Sequence, residues 1–102
     1  MASRLDLQVE LEELLGSANV YYQPPESVRL QYPCVIYSKN DWYIRNANDF
    51  PYLYQPNYMV MFIDKDPDAD WDVKMIRHFK YLSYDRSYTA DNMNHWVFRL
   101  YY

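Results

Sequence analysis

The apolar run Tyr58-Met59-Val60-Met61-Phe62-Ile63 and the acidic segment behind it leave this chain few folds to choose from. From Asp64 to Asp70 four aspartates alternate with Lys65, Pro67 and Ala69, a composition that suits neither a strand nor a helix interior and reads as a turn. A strand therefore feeds a turn, and the turn feeds a helix. Along the strand Tyr58, Val60 and Phe62 point one way and Met59, Met61 and Ile63 the other, so both faces call for cover. Along the helix Trp71, Met75, Ile76, Phe79 and Leu82 share a broad apolar stripe, with Lys74, Arg77 and Lys80 mostly elsewhere. This helix covers one face of the strand; an amino-terminal helix or a neighbouring subunit covers the other.

That amino-terminal helix is predicted over Arg4 to Leu15. Ser3 can cap it, Leu7, Leu11, Leu14 and Leu15 form its stripe with Leu5 and Val9 flanking, and Gly16 supplies the stop. Glu10, Glu12 and Glu13 read as a solvated outer face. Val20-Tyr21-Tyr22 is a short edge strand ended by Pro24 and Pro25. Pro33 to Lys39 alternates like a central strand, with Cys34, Ile36 and Ser38 opposite Val35, Tyr37 and Lys39.

Between Asn40 and Pro56 no period is sustained, yet Trp42, Tyr43, Ile44, Phe50, Tyr52 and Tyr54 make the segment too apolar for a disordered tail. Two readings stay open. One is a surface that docks against another chain, with Trp42, Tyr43, Phe50, Tyr52 and Tyr54 as candidate contacts. The other is a distorted hairpin folded over its own core, with strand extensions at Trp42 to Arg45 and Tyr52 to Gln55. Ser83 to Asn94 reads as a turn-rich connection, and His95 to Tyr102 alternates Trp96, Phe98, Leu100 and Tyr102 against His95, Val97, Arg99 and Tyr101 as a final strand. The pattern predicts one α+β domain over 1–102: a mainly antiparallel sheet of four or five strands with two helices packed on it.

Composition narrows the function. The net charge of −4 argues against a protein that grips phosphate backbones. A single cysteine cannot form an internal disulfide, and Cys34, between Pro33 and Val35, reads as a small buried hydrophobe. No window approaches the ~18 uncharged residues of a membrane span, so the chain is expected in the cytosol where it is made. With 13 tyrosines, more phenol surface is expected than a monomer needs, which points to association.

Candidate chemistry fails on spacing. Asp64, Asp66, Asp68, Asp70 and Asp72 invite a calcium-loop test, but counting from Asp64 the sixth position is Ala69 instead of Gly and the twelfth is Met75 instead of Glu. Counting from Asp66 puts Trp71 and Arg77 there. The aspartates are expected instead to cap the second helix, through Asp68 or Asp70, and to favour its positive end. His78, His95 and Cys34 lack the clustered spacing of a zinc site, and no serine sits in a nucleophile elbow. Asp85 to Asn92 reads as a surface turn with Arg86 paired to Asp85 or Asp91. No catalytic residue, metal or cofactor is expected.

The order of features has a parallel. The amino-terminal helix, Val20-Tyr21-Tyr22-Gln23-Pro24-Pro25, Leu30-Gln31-Tyr32-Pro33-Cys34-Val35-Ile36-Tyr37, the Asp64-Lys65-Asp66-Pro67-Asp68 turn and the end from Asp85-Arg86-Ser87-Tyr88 to Leu100-Tyr101-Tyr102 together resemble siphophage tail terminator or tail completion proteins. The resemblance implies a non-enzymatic virion protein of the head-tail junction. Such a protein forms a ring, a hexamer in that family, on the tail tube, halts tube polymerisation and meets the head connector. DNA only passes through the lumen, which an acidic chain suits. The same layout leaves two alternatives: a head-closure or adaptor neck protein, and a non-viral module that binds a protein through a sheet edge.

Overall fold

The computed structural model describes residues 4–40 and 57–102. The elements run α1 (Arg4–Leu15), β1 (Val20–Tyr22), β2 (Cys34–Asn40), β3 (Asn57–Asp64), α2 (Trp71–His78), β4 (Leu82–Ala90) and β5 (Met93–Tyr101). One five-stranded sheet has the order β1-β2-β3-β5-β4. Only β1 and β2 pair in parallel; the other three pairings are antiparallel. The α+β fold is therefore as the pattern predicts, with a mixed sheet.

α1 keeps the predicted bounds because its terminator acts as expected. Gly16 adopts φ +83°, and its N–H closes on the Glu12 carbonyl at 2.9 Å, satisfying an otherwise orphaned acceptor. β1 stops at Gln23, whose φ of 44° turns the chain into Pro24 and Pro25. β2 and β3 pair over seven positions from Cys34↔Ile63 to Asn40↔Asn57, and β3 and β5 over eight.

Both helices lie on the same face of the sheet. Leu7, Leu11 and Leu15 of α1 and Trp71 and Met75 of α2 join Val35, Tyr37, Val60, Phe62, Phe98 and Leu100 in one core. Trp71 stacks on Phe62 at 5.1 Å, Phe62 meets Phe98 edge-on at 6.0 Å, and Tyr37 packs on Tyr22 at 4.9 Å. Tyr37 is almost wholly buried and stays satisfied, since Arg4 donates to its hydroxyl at 3.3 Å and the hydroxyl donates to Gln8. Burial holds this phenol above its ordinary pKa.

The expectation that α1 takes the face of β3 opposite α2 is corrected: both helices share one face. Tyr58, Val60 and Phe62 are buried under them, whereas on the other side Ile63 is buried and Met59 and Met61 are half-buried. α1 joins α2 instead of taking the opposite face, because its leucine stripe and the helix-side residues of β2 form one continuous apolar surface. A small second cluster of Cys34, Ile63 and Met93, with Tyr21, Leu30, Ile36 and Met61 against it, lies on that opposite side.

α2 is also shorter than its stripe suggests. Phe79 turns to extended backbone while its N–H still bonds the Met75 carbonyl, so Leu82 belongs to β4 and Ile76 stands 59% exposed on the helix flank. Likewise Ser83 to Asn94 is no turn-rich connection. It holds most of β4 and a two-residue hairpin at Asp91 and Asn92, whose φ values of 53° and 61° are the left-handed pair that the strand twist favours. Between Tyr84↔Phe98 and Arg86↔Val97 one residue, Asp85, is extra on β4. This bulge shifts the side-chain alternation, so Tyr84 lies on the helix side while Tyr88 lies on the opposite face. No helix among the described residues is long and apolar enough to cross a membrane.

Candidate functional site

The acidic turn is a structural joint. Asp64 accepts from the Asp66 N–H at 3.0 Å with one oxygen and from the Trp71 indole at 2.9 Å with the other; Asp66 accepts in turn from the Asp68 N–H at 2.9 Å. The first two aspartates thus build the turn that drops Trp71 onto Phe62. Asp70 occupies the N-cap position of α2, but its side chain makes no capping bond and neither does Asp68, which corrects the expected role. Asp70 pairs instead with Lys74 at 3.6 Å, and that ammonium rests over the Trp71 ring at 4.5 Å. Among the described residues no group of three or more His, Cys, Asp and Glu converges on a common point.

Glu10 is not part of a solvated outer face. It sits on the flank of α1 that looks toward α2, where one oxygen meets His78 Nε2 at 2.9 Å and the other accepts from the Tyr102 hydroxyl. His78 packs edge-on against Phe79 at 4.6 Å, and Phe79 against Tyr102 at 6.2 Å. Burial, reinforced by the Glu10 carboxylate, pushes the Tyr102 phenol above its ordinary range. This clasp joins α1, α2 and the residue after β5. Strand or helix periodicity alone could not find it, since Glu10 lies 92 positions from Tyr102.

Cys34 behaves as a buried apolar side chain. It is fully enclosed, and burial pushes its thiol up to about 11, so the nucleophilic thiolate is scarce at neutral pH. An open, mainly apolar groove of about 480 Å³ lies at the β1 end, lined by Pro24, Pro25, Val28, Leu30 and Ile36, with Glu26 its one charged lining residue.

The sheet's other edge is more distinctive. Every residue of β4 after Leu82 is exposed, including Tyr84 and Tyr88. Tyr88 stacks flat on His95 at 4.6 Å and donates to Met61 Sδ at 3.5 Å, so its ring lies along the open face beside the half-buried Met61. Arg86 pairs with Asp85 at 2.7 Å, one of the two partners expected from sequence. The hairpin tip is tied down where the Asn94 amide donates to the Asp64 and Lys65 carbonyls. Chemically the arrangement offers shape, aromatic surface and a strand edge with no paired neighbour among the described residues. The sequence-predicted contacts Trp42, Tyr43, Phe50, Tyr52 and Tyr54 lie outside the described residues, as do Ser3 and the suggested extensions Trp42 to Arg45 and Tyr52 to Gln55.

No protein-family model matches the chain, and no curated protein and no solved structure matches it.

Proposed function

We propose that this chain is a phage structural protein, a tail terminator that forms a ring on the tail tube, stops its polymerisation and joins tail to head. It acts by presenting surfaces to copies of itself, to the tube protein and to the head connector, and makes or breaks no bond. The observation that carries this reading is β4, a nine-residue edge strand exposed from Ser83 to Ala90 and flanked by a sheet face on which Met59 and Met61 are half-open. Long unpaired edges and aromatic skin are liabilities in a monomer, and both are useful where subunits meet. The order of short segments shared with tail terminators supports the particular role. The charge of −4 suits a ring through which DNA passes without sticking.

Deleting the gene from its phage and imaging the lysate tests the reading. Overlong or ragged free tails are expected. Tails of normal length beside leaking heads would move the assignment to a head-closure or adaptor protein, and normal virions would end the proposal.

A further inference from the structure

Two patches at opposite ends of the molecule complement each other. On α1, Leu7, Leu11 and Leu15 face the sheet, while Leu5 and Val9, one turn apart on the outer side, are 63% and 52% exposed. Exposed Glu13 and half-exposed Glu12, one oxygen of which accepts from Gln8, border them, whereas Glu10 is turned to His78 and Tyr102. The Arg4 guanidinium is committed inward, to the Tyr37 hydroxyl and the Tyr22 ring. Gln8, on the neighbouring flank, donates to the Val20 carbonyl, which fixes this acidic, aliphatic patch at the β1 end of the sheet.

The second patch lies at the β4 end. Trp71 and Met75 bury one side of α2 and His78 reaches Glu10 on the α1 side, so Ile76 emerges on the flank turned away from α1. Beyond the helix Tyr81, 59% exposed, and Tyr84 add aromatic surface around the start of β4. Arg77 and Lys80 border this patch; Lys74 is held by Asp70, and Asp72, one turn before Ile76, accepts from the Val73 N–H at the start of the helix. The Lys80 ammonium lies over the Tyr81 ring at 5.8 Å.

One patch is aliphatic with a negative rim and the other aliphatic and aromatic with a positive rim. Like rims repel, so neither patch favours itself, and opposite rims attract. Because the two lie toward opposite ends of the sheet, their contact is heterologous and repeats head to tail, giving a ring where the rotation between copies closes. We infer that Leu5 and Val9 of one copy dock on Ile76 and Tyr81 of the next, with Glu12 and Glu13 facing Arg77 and Lys80. This inference rests on the ring-forming reading above and supplies the subunit contact that reading requires.

Disulfide trapping tests it. Val9→Cys and Ile76→Cys are made in separate full-length chains, checked for unchanged melting, and oxidised mildly alone and as a mixture; Cys34 is buried and does not compete. The mixture is expected to yield a linked pair containing one of each, several-fold above either variant alone. Reversing Arg77 and Lys80 to Glu in the Ile76→Cys chain should lower the yield about tenfold at low salt, and adding Glu12→Lys and Glu13→Lys to the Val9→Cys chain should restore most of it. Each variant linking to itself would indicate a back-to-back pair and overturn the inference. A mixture no better than its components would overturn it too, showing that another partner covers these patches. If rings form without this crosslink, the contact is wrong and the proposed function stands. If the crosslink forms but deletion phage make normal tails, the contact stands and the function falls.

Discussion

β5 and β4 are adjacent strands of nine residues each, paired along their length, yet one is the centre of the fold and the other is nearly all surface. Trp96, Phe98 and Leu100 of β5 lie under the helices, and Val97 and Met93 are buried on the opposite side. Only Leu82 of β4 is even half-buried. β4 therefore keeps its place through backbone pairing, the Asp91-Asn92 turn and a few ring contacts such as Tyr84 on Phe98 at 5.2 Å. The difference shows where free energy is spent: burial on β5 and α2 sets the fold, and the exposed side chains on β4 are left for other tasks.

The contrast breaks most easily at the aromatic pair that joins the strands. Phe98→Ala is expected to cost about 3–5 kcal/mol in denaturant unfolding, with Trp71→Ala and Phe79→Ala in the same range because all three rings are buried. Tyr84→Ala, which removes the other half of the Phe98 contact from a ring 43% exposed, should cost about 1 kcal/mol or less. Equal losses at Phe98 and Tyr84 would show that β4 is core after all.

A smaller effect separates the enclosed face from solvent by pH. Burial raises the Cys34 thiol from 9.0 to about 11, so the unfolded chain loses its proton first as pH rises. The stability this group contributes is complete below pH 9.0 and is lost progressively as pH climbs through about 11. Cys34→Ala should flatten part of that alkaline decline in thermal melts, leaving the share due to the Tyr37 and Tyr102 phenols, which are raised in the same sense. An unchanged slope would place the thiol in contact with water. Smallest of all, Asn92→Gly should stabilise the hairpin by about 0.5 kcal/mol or less, because the left-handed backbone at this position suits glycine while the added freedom of the unfolded chain offsets part of the gain. Destabilisation would mean that the Asn92 side chain matters more than its backbone.

These same two strands explain what the sequence disclosed. β5 was legible because Trp96, Phe98 and Leu100 recur at every second position on the side under the helices, and α1 because its leucines and Gly16 agree on both face and end. β4 was hidden: a strand open on both faces has no reason to alternate, and the Asp85 bulge shifts whatever parity remains. Its one local signal was Asp91-Asn92 after Tyr88 and Thr89, a two-residue hairpin turn behind β-prone residues. The helix-side cover of β3 was readable from its apolar run, but which face each helix takes is a tertiary choice that periodicity does not encode. Glu10 shows the same limit, since a position on a helix flank says nothing of the His78 and Tyr102 groups that meet it.

Sedimentation velocity of the purified full chain over a wide concentration range tests the central claim most directly, because a protein that works by repeating one contact has a characteristic assembled mass. The account predicts a single closed oligomer, six copies by the resemblance to tail terminators, that grows in at the expense of the 12.5 kDa subunit without an open-ended series. A chain that stays at the mass of one subunit at every concentration, with the tail-tube protein present as well as without it, would contradict it.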